Sequence, residues 1–153
     1  MLTLVVFVTL LALVIWVGGL VFFSLIVAPL VFSILEQTDA GRFVRAIFPR
    51  YYGWGLGAGV VALVGLAALG ALAGAWAPPL LGLIVLVFAM LCLTAYSLVL
   101  VPKVNAARDA GEAEQEAFQQ LHKRSVRINI AVLCLGLLAL AIVAYSVIQP
   151  ISL

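Results

Sequence analysis

Polar and apolar positions along this chain are segregated into blocks. Residues 1–35, 51–102 and 128–153 contain no Asp, Glu, Lys or Arg, and every charge falls within 36–50 or 103–127. A hydrocarbon core of ~30 Å is crossed by about 20 apolar residues of helix. The first block exceeds one span yet is too short for two spans and a turn. It predicts one long helix over about 2–35, its surplus absorbed by tilt, a kink near Pro29 or projection beyond the bilayer. The second block holds two helices separated at Pro78-Pro79, because paired prolines remove two backbone donors and push the preceding residue out of the α region. The predicted spans are then 54–76 and 80–101. A fourth runs over about 125–148 and ends near Pro150. Lipid offers no partner to free backbone groups, so spans must be closed structures. Continuous apolar runs, rather than alternation, exclude a β-barrel. The expectation is an all-α, integral membrane four-helix bundle, with residues 1–153 forming a single four-span transmembrane domain.

Composition agrees. The chain is 67% hydrophobic and 9% charged, with mean hydropathy +1.32, where soluble domains carry roughly 25% charged residues. A net charge of +2 is too small and dispersed for a nucleic-acid surface, so the bilayer is the expected partner and nucleic acid is not. Lys and Arg set orientation. Arg42, Arg45 and Arg50 lie in the first connection, and Lys103, Arg108, Lys123, Arg124 and Arg127 in or beside the third. The second connection, around Trp76-Ala77-Pro78-Pro79, and both tails have none. Both termini are therefore expected outside and the odd connections in the cytoplasm, in a multi-pass protein of a cell membrane of the bacterial inner-membrane type. Tyr51, Tyr52 and Trp54 then mark the inner interface, and Trp76 and Tyr145 the outer one. The first run lacks a basic leader and exceeds a signal h-region, so it reads as a retained span. Cys92 and Cys134 lie inside apolar helices and read as buried free thiols.

The two charged connections each predict a short amphipathic helix. Over Gln37–Phe48, Thr38 or Asp39 caps the start, and Phe43, Val44, Ile47 and Phe48 form an apolar stripe that would lie on the membrane surface. This helix is expected to stop at Phe48-Pro49. In the second, Asp109 and Glu112 resemble a capping box, and Ala113, Ala117, Phe118 and Leu121 form a stripe leading into the fourth span.

Ionisable residues at membrane depth usually mark a transport or redox path, and none is present. Helical phase brings the remaining polar residues onto stripes. His122, Ser125, Asn129 and Gly136 share one face of the fourth helix; Met90, Thr94, Ser97 and Asn105 share one of the third. Facing each other, they define a candidate ligand-binding cluster of His122, Ser125 and Asn129 against Asn105 and Ser97. The other reading is interhelical hydrogen bonding that fixes packing, worth about 0.6 kcal/mol per bond. The metal candidates are His122 and Met90; the two cysteines fall off these stripes. No nucleophile–base pair, phosphate loop or two-metal arrangement is legible, which leans away from an enzyme. The second span carries the small-residue pairs Gly53/Gly57, Gly55/Gly59 and Gly70/Gly74, which predict close helix packing within the bundle or at a homo-oligomer interface.

Ala28-Pro29, Phe48-Pro49-Arg50-Tyr51, Pro102-Lys103-Val104-Asn105-Ala106-Ala107-Arg108, and Phe118 through His122, Ser125 and Asn129, in that order, resemble the transmembrane protein 205-like family across essentially the whole chain. That is a four-span domain of unknown function, distantly similar to copper-resistance D-type membrane proteins and four-helix haem-associated oxidases. The resemblance implies metal or haem handling and a site drawn from Asn105, Arg108, His122, Ser125 and Asn129. One histidine cannot supply a bis-histidine haem, and methionine is nearly absent. The favoured expectation is thus a cofactor-free protein binding a small ligand, lipid or partner near its cytoplasmic side. The alternatives are haem or copper handling through His122, and a structural subunit of a membrane complex.

Overall fold

Each charge-free block becomes helix, and the computed structural model, which describes residues 1–148, contains four long ones. They are α1 (Leu2–Ile34), α2 (Gln37–Ala73), α3 (Pro78–Asp109) and α4 (Gln115–Ile148). All four are long and apolar enough to cross a membrane. Successive helices pack side by side, and a lighter α4–α1 contact closes the bundle. The helix end expected near Pro150 lies outside the described residues.

The irregularity expected near Pro29 is a widened turn. Phe23–Val27 adopts π-helical geometry, with the Ala28 N–H donating to the Phe23 carbonyl. Proline at 29 has no N–H for the carbonyl four residues back, and the π turn sits immediately before it.

Two expected breaks are absent. Residues 37–48 form the first turns of α2 and not a separate surface helix, because the helix continues through Pro49. The proline removes one donor only, and the Arg50 guanidinium donates to the nearby Ala46 carbonyl at 2.7 Å. Aromatic packing of Phe48 on Tyr52, with centroids 5.8 Å apart, spans the proline and holds the helix on course. Likewise α3 runs past residue 101 and through Pro102 to Asp109. Val101 and Ala107, on either side of that proline, are both buried, so packing outweighs one lost bond.

The expected caps differ too. Glu36, not Thr38 or Asp39, precedes the first turn of α2, without a side-chain capping bond. Asp39 lies within that turn, where a carboxylate suits the helix dipole. Asp109 ends α3 instead of opening a capping box, and its carboxylate accepts from Arg45. A 3₁₀ turn, Gly111–Glu114, then feeds directly into α4.

The α2–α3 turn follows the sequence reading closely. Gly74 is left-handed at φ +62°; the Ala75 N–H bonds to the Gly70 carbonyl and the Gly74 N–H to that of Ala71. This is a Schellman ending. Pro78 and Pro79 then occupy the first turn of α3, where missing donors cost nothing.

The core runs along the bundle axis through Leu13, Trp16, Ala62, Val87, Met90 and Ala139. Trp16, 3% exposed, fits only because α2 offers it glycines. A Cβ at Gly55 would lie 2.7 Å from the indole nitrogen, and one at Gly59 only 2.5 Å from the ring. Large apolar side chains such as Phe7, Leu25, Val64 and Val85 face outward, as a lipid solvent permits.

Candidate functional site

All four helices contribute to one polar cluster near the charged end of the bundle. Ser24 comes from the π turn of α1, Tyr51 and Tyr52 follow Pro49 on α2, and Thr94 and Ser97 lie on α3. Ser125 and Asn129 lie on α4. The Asn129 amide donates to Ser24 Oγ at 3.3 Å, and the Tyr51 hydroxyl donates to Asn129 Oδ1 at 3.4 Å. The Tyr52 hydroxyl is 3.5 Å from Ser125 Oγ and also within reach of Ser97. Thr94 and Ser97 are buried. Phe23 stacks on Tyr51 with centroids 4.6 Å apart, which locks the tyrosine rings against α1.

These bonds lie at the long end of the hydrogen-bonding range, and a cavity of about 30 Å³ lies among them. At roughly 10–15 Å³ per water it accommodates about two, far below the ~300 Å³ of a small-ligand pocket. Hydroxyl and amide groups around such a space suit bound water and a fixed helix register.

Helical phase had placed Ser97, Ser125 and Asn129 together, and the structure joins them. It adds Tyr51, Tyr52 and Ser24. Both tyrosines had been assigned to the membrane interface by residue type, yet Tyr52 is 4% exposed. Spacing alone gives only that Tyr52, Gly55 and Gly59 share a helical face; Trp16 against the two glycines makes it the packed one.

His122 lies elsewhere. It is exposed, with its ring stacked on Phe118 at 5.9 Å. Arg108 covers Phe118 as well, 5.5 Å from the ring centroid. Gly41 makes room for this arginine, since a Cβ there would lie 2.9 Å from its Nη1. Asn105 is half-buried and makes no side-chain hydrogen bond among the described residues. The predicted set thus divides into an inner cluster (Ser97, Ser125, Asn129) and an outer patch (Arg108 and His122).

The charges around this patch are ordered. On α2, Glu36 and Asp39 precede Arg42, Arg45 and Arg50; on α3, Lys103 and Arg108 precede Asp109. Along the 3₁₀ turn and α4, Glu112, Glu114 and Glu116 precede Lys123, Arg124 and Arg127. In every case the cations lie closer to the apolar span and the acids farther from it. Among the described residues only Arg42 and Arg45 form ion pairs, with Asp39 and Asp109. These pairs are solvent-exposed and weak. Arg124 lies over the Tyr96 ring at 5.0 Å.

The six small-residue positions serve three different ends. Gly55 and Gly59 receive Trp16, Gly70 receives the Trp76 ring, and Gly74 terminates α2. Gly53 and Gly57 pack against nothing: a Cβ at either would meet no atom within 4 Å. They lie on the opposite face of α2 and floor an apolar groove of about 330 Å³ between α1 and α2, walled by Ile15, Trp54 and Val61.

Among the described residues, the two metal candidates, His122 and Met90, are not brought together. Met90 is fully buried, its terminal methyl, Cε, lying against Gly136, which is about 21 Å along α4 from His122 at 1.5 Å per residue. Cys92 and Cys134 are free and exposed on the outer surface of the bundle, not buried. No group of three or more His, Cys, Asp or Glu gathers among the described residues.

Comparison with known proteins adds a family. Residues 11–113 match a family described as a domain of unknown function (DUF4149). An uncharacterised protein of Aquifex aeolicus (strain VF5) is 33% identical over 117 residues, covering 76% of this chain and 79% of that protein. No solved structure matches the chain.

Proposed function

The chain belongs to the DUF4149 family, and for it we propose a non-enzymatic role in engaging anionic lipid at the cytoplasmic face of a cell membrane. The observation that carries this reading is the charge order along the helices. Lys103, Arg108, Lys123, Arg124 and Arg127 form a belt next to the apolar spans, and none has an acidic partner among the described residues. A cation at that depth meets lipid phosphates, and each contributes about 1 kcal/mol near an anionic surface. On each helix the acids lie farther from the apolar span than the cations, by one residue at Arg108-Asp109 and by seven at Glu116 and Lys123. Arg108 and Arg124 are held over aromatic rings, which presents their guanidinium edges with less entropy to lose. Arg108, His122 and Asn105 then form the polar edge of the site. Ser97, Ser125 and Asn129 hold the four helix ends in register beneath it.

Topology follows from the same belt: the basic end faces the cytoplasm and both termini lie outside. Arg50, the 102–108 segment and the 118–129 segment all lie at or near the belt.

Reconstitution into nanodiscs of phosphatidylglycerol and phosphatidylcholine tests the reading. The wild type should be thermally stabilised by phosphatidylglycerol relative to phosphatidylcholine. The triple variant Lys103→Gln, Arg124→Gln, Arg127→Gln should lose most of that difference. Equal stability of the wild type in both lipids would refute it.

A further inference from the structure

The groove between α1 and α2 has the dimensions and the mouth of a site for one lipid chain. Its α2 wall runs from Gly53 to Val61, about 12 Å at 1.5 Å per residue. That is close to the ~15 Å depth of one leaflet in a ~30 Å core. Its volume of about 330 Å³ reaches the ~300 Å³ at which ligand sites begin. At 100° per residue, Gly57 and Val61 each lie about 20° from Arg50 on α2, on either side of it, so the groove's floor leads back to an arginine. Arg50 is exposed and donates one nitrogen to the Ala46 carbonyl, which turns its guanidinium toward the charged end. Its remaining donors have no acidic partner among the described residues.

We infer that this groove holds one acyl chain of a phospholipid whose phosphate is bound by Arg50. The inference rests on the lipid-engaging role proposed above and names a single discrete site within it. Charge selects the occupant: an anionic headgroup completes Arg50, whereas an apolar helix from a second copy would leave it unpaired. Length agrees, because a helix seam between two spans would extend along ~30 Å of helix and the groove ends after about two turns.

Native mass spectrometry of the full chain, purified in mild detergent and exchanged with phosphatidylglycerol or phosphatidylcholine of matched chains, reads the site directly. The wild type should retain one phospholipid per chain and prefer phosphatidylglycerol. Gly57→Leu, placed where a new side chain meets no atom within 4 Å, should fill the groove and reduce retention at least tenfold, with Gly57→Ala giving a smaller loss. Arg50→Gln should abolish the headgroup preference. The belt variant Lys103→Gln, Arg124→Gln, Arg127→Gln should keep its single lipid, which separates this site from the belt. Equal retention by wild type and Gly57→Leu would overturn the groove and leave the belt standing. A lipid-free dimer that Gly57→Leu converts to monomer would overturn it in favour of a helix–helix interface.

Discussion

A glycine on a membrane helix means nothing until its face is known, and α2 carries both cases one turn apart. Gly59 accepts the Trp16 ring, and a Cβ there would come within 2.6 Å of Leu91 as well. The Trp16 ring cannot retreat, since it is buried in the bundle centre and the interior is close-packed. Gly59→Leu is therefore expected to destabilise the fold by at least the ~1–3 kcal/mol typical of overpacking. Gly53→Ala, whose new methyl meets only open space inside a regular helix, should instead gain roughly 0.5–1 kcal/mol in helix propensity. Unfolding of both variants in the same detergent checks the contrast; equal losses would mean that α2 faces the bundle differently. From sequence the three glycine pairs were indistinguishable, because spacing identifies a face without saying what lies against it. Trp16 decides the matter, and its position on α1 carries no motif. Asn129 was the opposite case. A polar side chain in lipid must turn inward, so its partnership with the neighbouring helices was legible from phase alone, and only the identity of Ser24 and Tyr51 as partners was not.

At the level of elements, proline and glycine acted through different terms. Pro78-Pro79 open a helix while Pro49 and Pro102 lie inside helices, although all four remove a backbone donor. The paired prolines follow a Schellman ending that had already reversed the chain, whereas the two single prolines lie between buried residues that reward continuing. Sequence reading weighed the local cost, about 3 kcal/mol for an interior proline, without the packing that offsets it. This explains why α2 and α3 extend beyond the expected bounds at the charged end. The left-handed Gly74 supplies a clean test of the turn that did follow the local rule. At φ +62° an alanine is strained, so Gly74→Ala should cost about 1 kcal/mol. Gly82, inside α3 with no positive φ and nothing near its Cβ position, should respond in reverse. Gly82→Ala should gain roughly 0.5–1 kcal/mol in helix propensity. The two substitutions add the same methyl in uncrowded places, so opposite signs in a denaturation assay would isolate backbone conformation as the cause.

Across the whole molecule, shape and charge divide the work. Four helices of this kind would pack as well either way up in a bilayer. Asymmetry comes from the basic residues, eight at the end bearing the α1–α2 and α3–α4 connections and none at the α2–α3 turn. The bilayer reads that difference during insertion. The lipid-engaging role depends on it, because this orientation sets the belt beside the negative surface of the cytoplasmic leaflet. Single cysteines in a Cys92→Ser, Cys134→Ser background resolve the orientation. Ala77→Cys, in the α2–α3 turn, should react with a membrane-impermeant maleimide in intact cells. Glu112→Cys, in the 3₁₀ turn before α4, should react only after permeabilisation. The reversed pattern would place the belt outside, and anionic phosphate at the inner leaflet could then no longer be its ligand. The packing of Trp16 on its glycines would be untouched by that result, since it depends on which faces of α1 and α2 meet and on nothing beyond the bundle.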